Sequence, residues 1–162
     1  PAADAVQRSG VTAVYWSYFF DWSIYDNARY ARDKMNFEQA RSDHWPDNTE
    51  VWWGDSDGSF EGFDSIDDCI DDLDYWMMYL KFGFGRATRM ASRLIQSGDM
   101  TREQGLELVR HYDGDEPVRY RNEICEYLGM SWDEIRAVAD THRNPEIWKQ
   151  EDGKWLLRNP PQ

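Results

Sequence analysis

Long apolar runs are missing from this sequence of 162 residues. No stretch of 18 apolar residues occurs, so it encodes no membrane-spanning helix, and no charged-then-apolar leader opens it. Cysteine is scarce: Cys69 and Cys125 stand alone, too few for a disulfide framework and without zinc spacing. Both fall at apolar positions of expected helices, which reads as buried free thiols in a reducing cytosol. Positive charge is in deficit, with 18 Lys and Arg against 31 Asp and Glu, a formal net charge of −13. Such a surface repels phosphate backbones and anionic lipid heads, so neither nucleic acid nor membrane is an expected partner. The three histidines, His44, His111 and His142, are scattered without ligand or triad spacing. Neither a Gly-x-Ser-x-Gly elbow, a Walker loop nor a Ser-Gly-Gly-x-Asp-Ser loop occurs.

What the sequence does hold is hydrophobic substance. Hydrophobic residues make up 41% and aromatic residues 15%, including 9 Trp, 9 Tyr and 7 Phe. A chain of this size buries roughly 70% of its unfolded surface, so a packed core is expected despite the charge. The surplus rings either fill that core or line a pocket or interface.

Val11 to Phe20 is β-branched and aromatic without helical spacing, and reads as a buried strand ending at Asp21. One strand is not stable alone, and the rest of the sequence offers it little sheet. That orphan strand and the initial Pro1 point to a fragment of a longer protein. A helix is expected from Ser23 to about Asn36. Residues 37–63 read as a loop rich in Asp, Gly, Trp and Ser, of the length that serves function or moves. Ser65 is the expected cap of a helix carrying Ile66, Cys69, Ile70, Leu73, Met77 and Leu80 on one face.

Further helices are expected over Ala87–Ser97, closed by Gly98, and from Thr101, with Gln104 completing a capping box, to Asp113-Gly114. Two more follow: one started by Pro117 and closed by Gly129, and one opened by the Ser131 and Glu134 capping box, burying Trp132, Ile135, Val138 and Ala139. Asp152-Gly153 between Ile147-Trp148-Lys149 and Lys154-Trp155-Leu156-Leu157 signals a hairpin. The fold class is therefore mainly α: a helical domain with an orphan N-terminal strand and a C-terminal β-hairpin.

Two acidic stretches invite a metal. Asp55-Ser56-Asp57-Gly58-Ser59 fails as a calcium loop, because Phe60 stands where the turn needs Gly and Ile66 where a bidentate Glu is needed. Asp67, Asp68, Asp71, Asp72 and Asp74 could pair on Mg²⁺, but read as a solvated face near a helix start, where the dipole favours negative charge. Neither is assigned a metal.

The most informative stretch is Lys81-Phe82-Gly83-Phe84-Gly85-Arg86-Ala87-Thr88. Gly83 and Gly85 break the long helix and permit close backbone approach. Amides at the next helix start, with Lys81 and Arg86 beside them, could hold an anionic group. On spacing alone, a glycine-broken helix corner with flanking bases explains the same residues.

This stretch, together with Tyr18-Phe19-Phe20-Asp21-Trp22, resembles the carboxy-terminal region of bacterial N-acetyl sugar amidotransferases of surface-polysaccharide synthesis. The likeness continues through Gly98-Asp99-Met100-Thr101-Arg102-Glu103, Leu108 to Gly114, Arg143 to Lys149 and Gly153-Lys154-Trp155, spanning about residues 11 to 158. Arg102 and Glu103 also suit a helix start without any further role.

The resemblance implies a cytoplasmic enzyme of lipopolysaccharide or related surface-glycan synthesis. It would convert the acetamido group of a nucleotide-linked sugar to an acetamidino group. ATP, with Mg²⁺, would activate the amide oxygen as an adenylate, and ammonia from a glutaminase partner would displace AMP. The family places a PP-loop ATP-binding α/β domain first and the helical region second. Residues 1–22 are then the terminal strand region of that domain, and 23–162 the helical domain. The fragment alone would bind no cofactor. Implied substrate contacts are Lys81 and Arg86 at phosphate, Gly83 and Gly85 for close approach, Thr88 beside them, and Tyr18, Asp21 and Trp22 at the strand end. An exposed strand edge would favour a homodimer. The alternative is a non-catalytic helical interaction module, docking a partner through aromatics of the 37–63 loop.

Overall fold

The computed structural model describes residues 8–39, 53–63 and 67–162. It is mainly helical with a C-terminal antiparallel hairpin, as expected, and divides into two compact units, Pro1–Glu38 and Gln39–Gln162. No helix among the described residues is long and apolar enough to cross a membrane.

In the first unit, helix α1 spans Ile24–Met35. The Ser23 hydroxyl accepts the Asp26 N–H at its start, and Asn36 closes it in the left-handed region at φ 54°. Residues 11–20 do not form the expected strand. Residues 11–15 lack regular structure and Trp16–Tyr18 make a single 3₁₀ turn. A strand is defined by its ladder, and no partner strand lies beside this segment among the described residues. Its rings are exposed and meet one another: Trp16 stacks on Phe20 at 4.4 Å.

The second unit opens with a hairpin inside the segment expected as loop. Strands β1 (Trp53–Ser56) and β2 (Ser59–Glu61) pair antiparallel about Asp57-Gly58. Asp-Gly between short strands is a hairpin signal in its own right. Residues 40–52 of that expected loop, and Ser65, the expected helix cap, lie outside the described residues.

Helix α2 runs Asp71–Phe82, starting later than expected. The Asp68 carboxylate accepts the Ile70 N–H at 2.6 Å, a local turn that competes with helix just before Asp71. Cys69, ahead of the helix, is therefore exposed; Cys125 is only half-buried, and together they correct the expectation of buried thiols. Helices α3 (Arg86–Ser97) and α4 (Arg102–Tyr112) follow, the second opened by the expected Thr101 and Gln104 capping box. Gly105 lets the two helices close together, since a Cβ there would stand 2.9 Å from Ile95 Cδ1.

Helix α5 (Arg121–Leu128) begins four residues beyond Pro117. Residues 118 and 119 are held out of the helix by Asp57, whose Oδ2 accepts the N–H groups of Val118 and Arg119 at 2.5 and 2.9 Å. Helix α6 (Trp132–Asp140) has its Ser131 and Glu134 capping box, but Val138 is 49% exposed rather than buried. Strands β3 (Trp148–Glu151) and β4 (Lys154–Leu157) pair in register about Asp152-Gly153.

Trp76 and Leu80 of α2, Ile124 of α5, and Ile135 and Ala139 of α6 form one buried cluster. Trp148 brings the terminal hairpin onto α2. It is 2% exposed, donates its indole N–H to the Leu80 carbonyl at 2.7 Å, and meets the Tyr79 ring edge-on. Phe60 of β2 is fully buried beside Tyr112 of α4, so this aromatic cannot dock a partner.

Asp72 corrects the picture of a solvated acidic face. It is 1% exposed and paired to Arg119 through two bonds of 3.1 and 3.3 Å. Burial pushes its carboxyl up to about 6, against the opposing pull of Arg119. The folded chain thus holds this proton to higher pH than the unfolded chain, where the ordinary value is 3.8. Its contribution to stability is full below about pH 4 and is lost as pH rises through about 6, by at most ~3 kcal/mol. Urea unfolding across pH 4 to 7 should show this fall, and Asp72→Asn should flatten it; an equal fall in the variant would contradict the assignment.

Candidate functional site

The Lys81–Thr88 segment is the junction between α2 and α3. Gly83 closes α2 at φ 74°, a left-handed conformation that side chains other than glycine's disfavour. A Cβ there would stand 2.6 Å from Ile147 Cγ2 and 3.0 Å from Leu157 Cδ2, so the residue also admits the terminal hairpin. Phe82 and Phe84 stack at 5.9 Å on either side of it and remain about half exposed.

Gly85 sits at the start of α3, where free N–H groups and the helix dipole attract an anion. That anion is supplied by the chain itself. Asp113, at the end of α4, accepts from Gly85 N at 2.9 Å, Thr88 N at 3.3 Å and the Thr88 hydroxyl at 2.5 Å. Burial raises the Asp113 carboxyl above its ordinary range, while the Thr88 hydroxyl and the N–H groups of Gly85, Thr88 and Ala87 oppose the shift. A Cβ on Gly85 would lie 2.5 Å from Asp113 Oδ1. The close approach expected at Gly85 exists, and the group that approaches is an internal carboxylate.

Arg86 is likewise turned inward. Its guanidinium lies 4.0 Å from the fully buried Glu61 carboxylate and over the Tyr75 ring at 5.4 Å. Of the expected contacts, Lys81 alone in this segment is an exposed cation. Its ammonium stands over the Phe82 ring at 5.2 Å and borders a hollow of about 440 Å³ lined by Asp74, Met77, Met78, Phe82 and His142.

Tyr18, Asp21 and Trp22 lie in the first unit. All three are exposed, Tyr18 by 85% and Trp22 by 63%. Trp22 joins Trp16 and Ser17 around a hollow of about 260 Å³. Asp21 follows the 3₁₀ turn rather than a strand end.

Three groups carry no distinct signal in the sequence. Asp113 reads there only as part of a helix stop, and Asp57 only as part of a failed calcium loop. His142 has no ligand or triad spacing, and nothing in the sequence alone links it to Lys81. Among the described residues no cluster of His, Cys, Asp and Glu is arranged to hold a metal.

Residues 57–159 match the family described as "LPS biosynthesis protein WbpG-like, C-terminal domain". The chain belongs to this family. No curated protein matches it. The matched span begins at the Asp57 tether and runs through the α2–α3 junction, Asp113 and the terminal hairpin. Family membership assigns the WbpG-like domain to lipopolysaccharide biosynthesis. The PP-loop and amidotransferase chemistry expected from the sequence are finer than this match.

If the junction is an internal clasp, Gly85→Ala should displace Asp113 and cost about 1 to 3 kcal/mol, the scale of a buried charge-assisted hydrogen bond set. Guanidinium unfolding measures it, and an unchanged midpoint would contradict the clasp.

Proposed function

We propose that this chain is the carboxy-terminal part of an ATP-dependent N-acetyl sugar amidotransferase acting in lipopolysaccharide biosynthesis. Such an enzyme replaces the oxygen of a sugar's acetamido group by nitrogen from ammonia, giving an acetamidino group on a nucleotide-linked sugar. The observation that carries the reading is the family match over residues 57–159. The serial likeness of the Lys81–Thr88, Leu108–Gly114 and Arg143–Lys149 segments to that enzyme family narrows it to the amidotransferase.

ATP would supply activation of the amide oxygen when bound. The described residues do not fit it: the helix-start amides suited to phosphate are taken by Asp113, and Arg86 is engaged by Glu61. The sequence holds no Ser-Gly-Gly-x-Asp-Ser loop. ATP and Mg²⁺ therefore belong to a PP-loop domain of the full-length enzyme, to which residues 1–22 would attach. This helical part would hold the sugar nucleotide, and a glutaminase partner would deliver ammonia. The contrasting reading, a non-catalytic interaction module, draws on the exposed rings of Tyr15, Trp16, Tyr18, Phe19, Phe20 and Trp22.

The full-length protein carrying this chain, given ATP, ammonia and an N-acetylated nucleotide sugar, should release AMP only when all three are present. Mass spectrometry should show the oxygen-for-nitrogen exchange on the sugar. Absence of sugar-dependent AMP release with several such sugars would overturn the amidotransferase reading.

A further inference from the structure

Helix α3 runs against the acidity of this chain. It carries Arg86, Arg89 and Arg93 and neither Asp nor Glu, whereas each of the other five α-helices among the described residues has at least two acids. Its apolar side is fully used: Ala87, Met90, Ala91 and Leu94 are buried, and Ala91 and Ile95 stand against Gly105 of α4. Positions 86, 89 and 93 follow steps of three and four residues, so the three arginines form one ridge. The ridge is anchored at its start, where Arg86 turns inward to the buried Glu61 at 4.0 Å. Arg89 and Arg93 continue it outward. Both are exposed, and neither has an ion-pair partner among the described residues. Ser92 and Gln96 complete the outer face, Ser92 donating its hydroxyl to the Thr88 carbonyl at 2.7 Å.

We propose that the outer face of α3 is a docking surface for an acidic helix of a partner protein. The inference is independent of the enzymatic reading above. Charge complementarity selects the partner. Carboxylates four residues apart on a helix are spaced by about 6 Å, which is also the spacing of Arg89 and Arg93. Each planar guanidinium can then take one carboxylate through two N–H donors. The ridge already makes one pairing of this kind within the chain, between Arg86 and Glu61.

Other anionic surfaces fit this face less well. A membrane-docking helix presents apolar side chains to the lipid, and the outer face of α3 offers Ser92 and Gln96 instead, its apolar residues being taken up by the core. Nucleic acid needs a run of phosphate contacts, whereas two exposed arginines stand here beside α4, which exposes Glu103 and Glu107. A small free anion would meet these side chains in high-dielectric water, where pairing is weak. A helix laid along α3 covers both arginines at once.

Titration of the isotope-labelled protein with a short Ala-based helical peptide carrying two Glu four residues apart tests the surface. Amide shifts should concentrate on Arg89, Ser92, Arg93 and Gln96 and fade as salt rises. The double variant Arg89→Gln/Arg93→Gln should bind the peptide about tenfold more weakly, the scale of two well-formed exposed ion pairs. A peptide with Gln in place of both Glu should shift neither protein. Both arginines are exposed, so an unchanged melting temperature should report that the variant is folded. No shift at millimolar peptide, or equal affinity in the double variant, would overturn the surface. Phosphatidylglycerol vesicles that retain the protein but not the double variant would assign the face to lipid and overturn the acidic-helix reading. Inorganic phosphate that shifts the same amides at lower concentration than the peptide would overturn it too.

Discussion

One carboxylate joins the second unit across its sequence. Asp113, at the end of α4, takes up the N–H groups and hydroxyl at the start of α3, 25 to 28 residues earlier in the chain. A helix start buried without an acceptor would leave several N–H groups unsatisfied, each at a cost of roughly 1 to 3 kcal/mol. The carboxylate meets that need and fixes the α3–α4 pair at both ends, because Gly105 brings their other contact close. Once α3 is held there, Gly83 can turn the chain back into α2 and seat the terminal hairpin against it. A similar device holds the segment before α5, where Asp57 accepts from residues 118 and 119 and Arg119 in turn pairs with Asp72.

These clasps account for part of the acidity of the chain. Asp57, Asp72 and Asp113 serve as internal hydrogen-bond acceptors rather than as solvated charge or metal ligands. They also separate the roles within the α2–α3 junction. Gly83, Gly85, Arg86 and Thr88 hold the fold together through internal partners, while Lys81 faces the hollow on α2. The internal carboxylate explains Gly85, and the terminal hairpin explains Gly83, without any ligand.

Local signals read well in the sequence because each needs only neighbours a few residues apart. Ser23 and Asn36 bound α1 as expected, both capping boxes form, and Asp152-Gly153 turns the terminal hairpin. The errors come where a distant partner decides. Val11 to Phe20 has strand chemistry, yet no neighbouring strand completes a ladder among the described residues. Pro117 is a good helix start, but the Asp57 carboxylate, some sixty positions earlier, delays the helix to Arg121. Asp57-Gly58 was legible as a hairpin turn and was obscured by its acidic neighbours. For the candidate site, the sequence marked the α2–α3 junction for close backbone approach and Lys81 as a cation, which borders the hollow. It could not show that Asp113 would occupy the helix-start amides or that His142 would reach the same hollow, since both depend on tertiary packing.

The Asp113 clasp is tested most directly by a double-mutant cycle between Thr88→Val and Asp113→Asn, read by denaturant unfolding. Because the hydroxyl and carboxylate meet in a buried, charge-assisted bond, the two changes should be non-additive by about 1 to 3 kcal/mol. Additive losses, with no coupling beyond experimental scatter, would mean that Asp113 does not hold the start of α3.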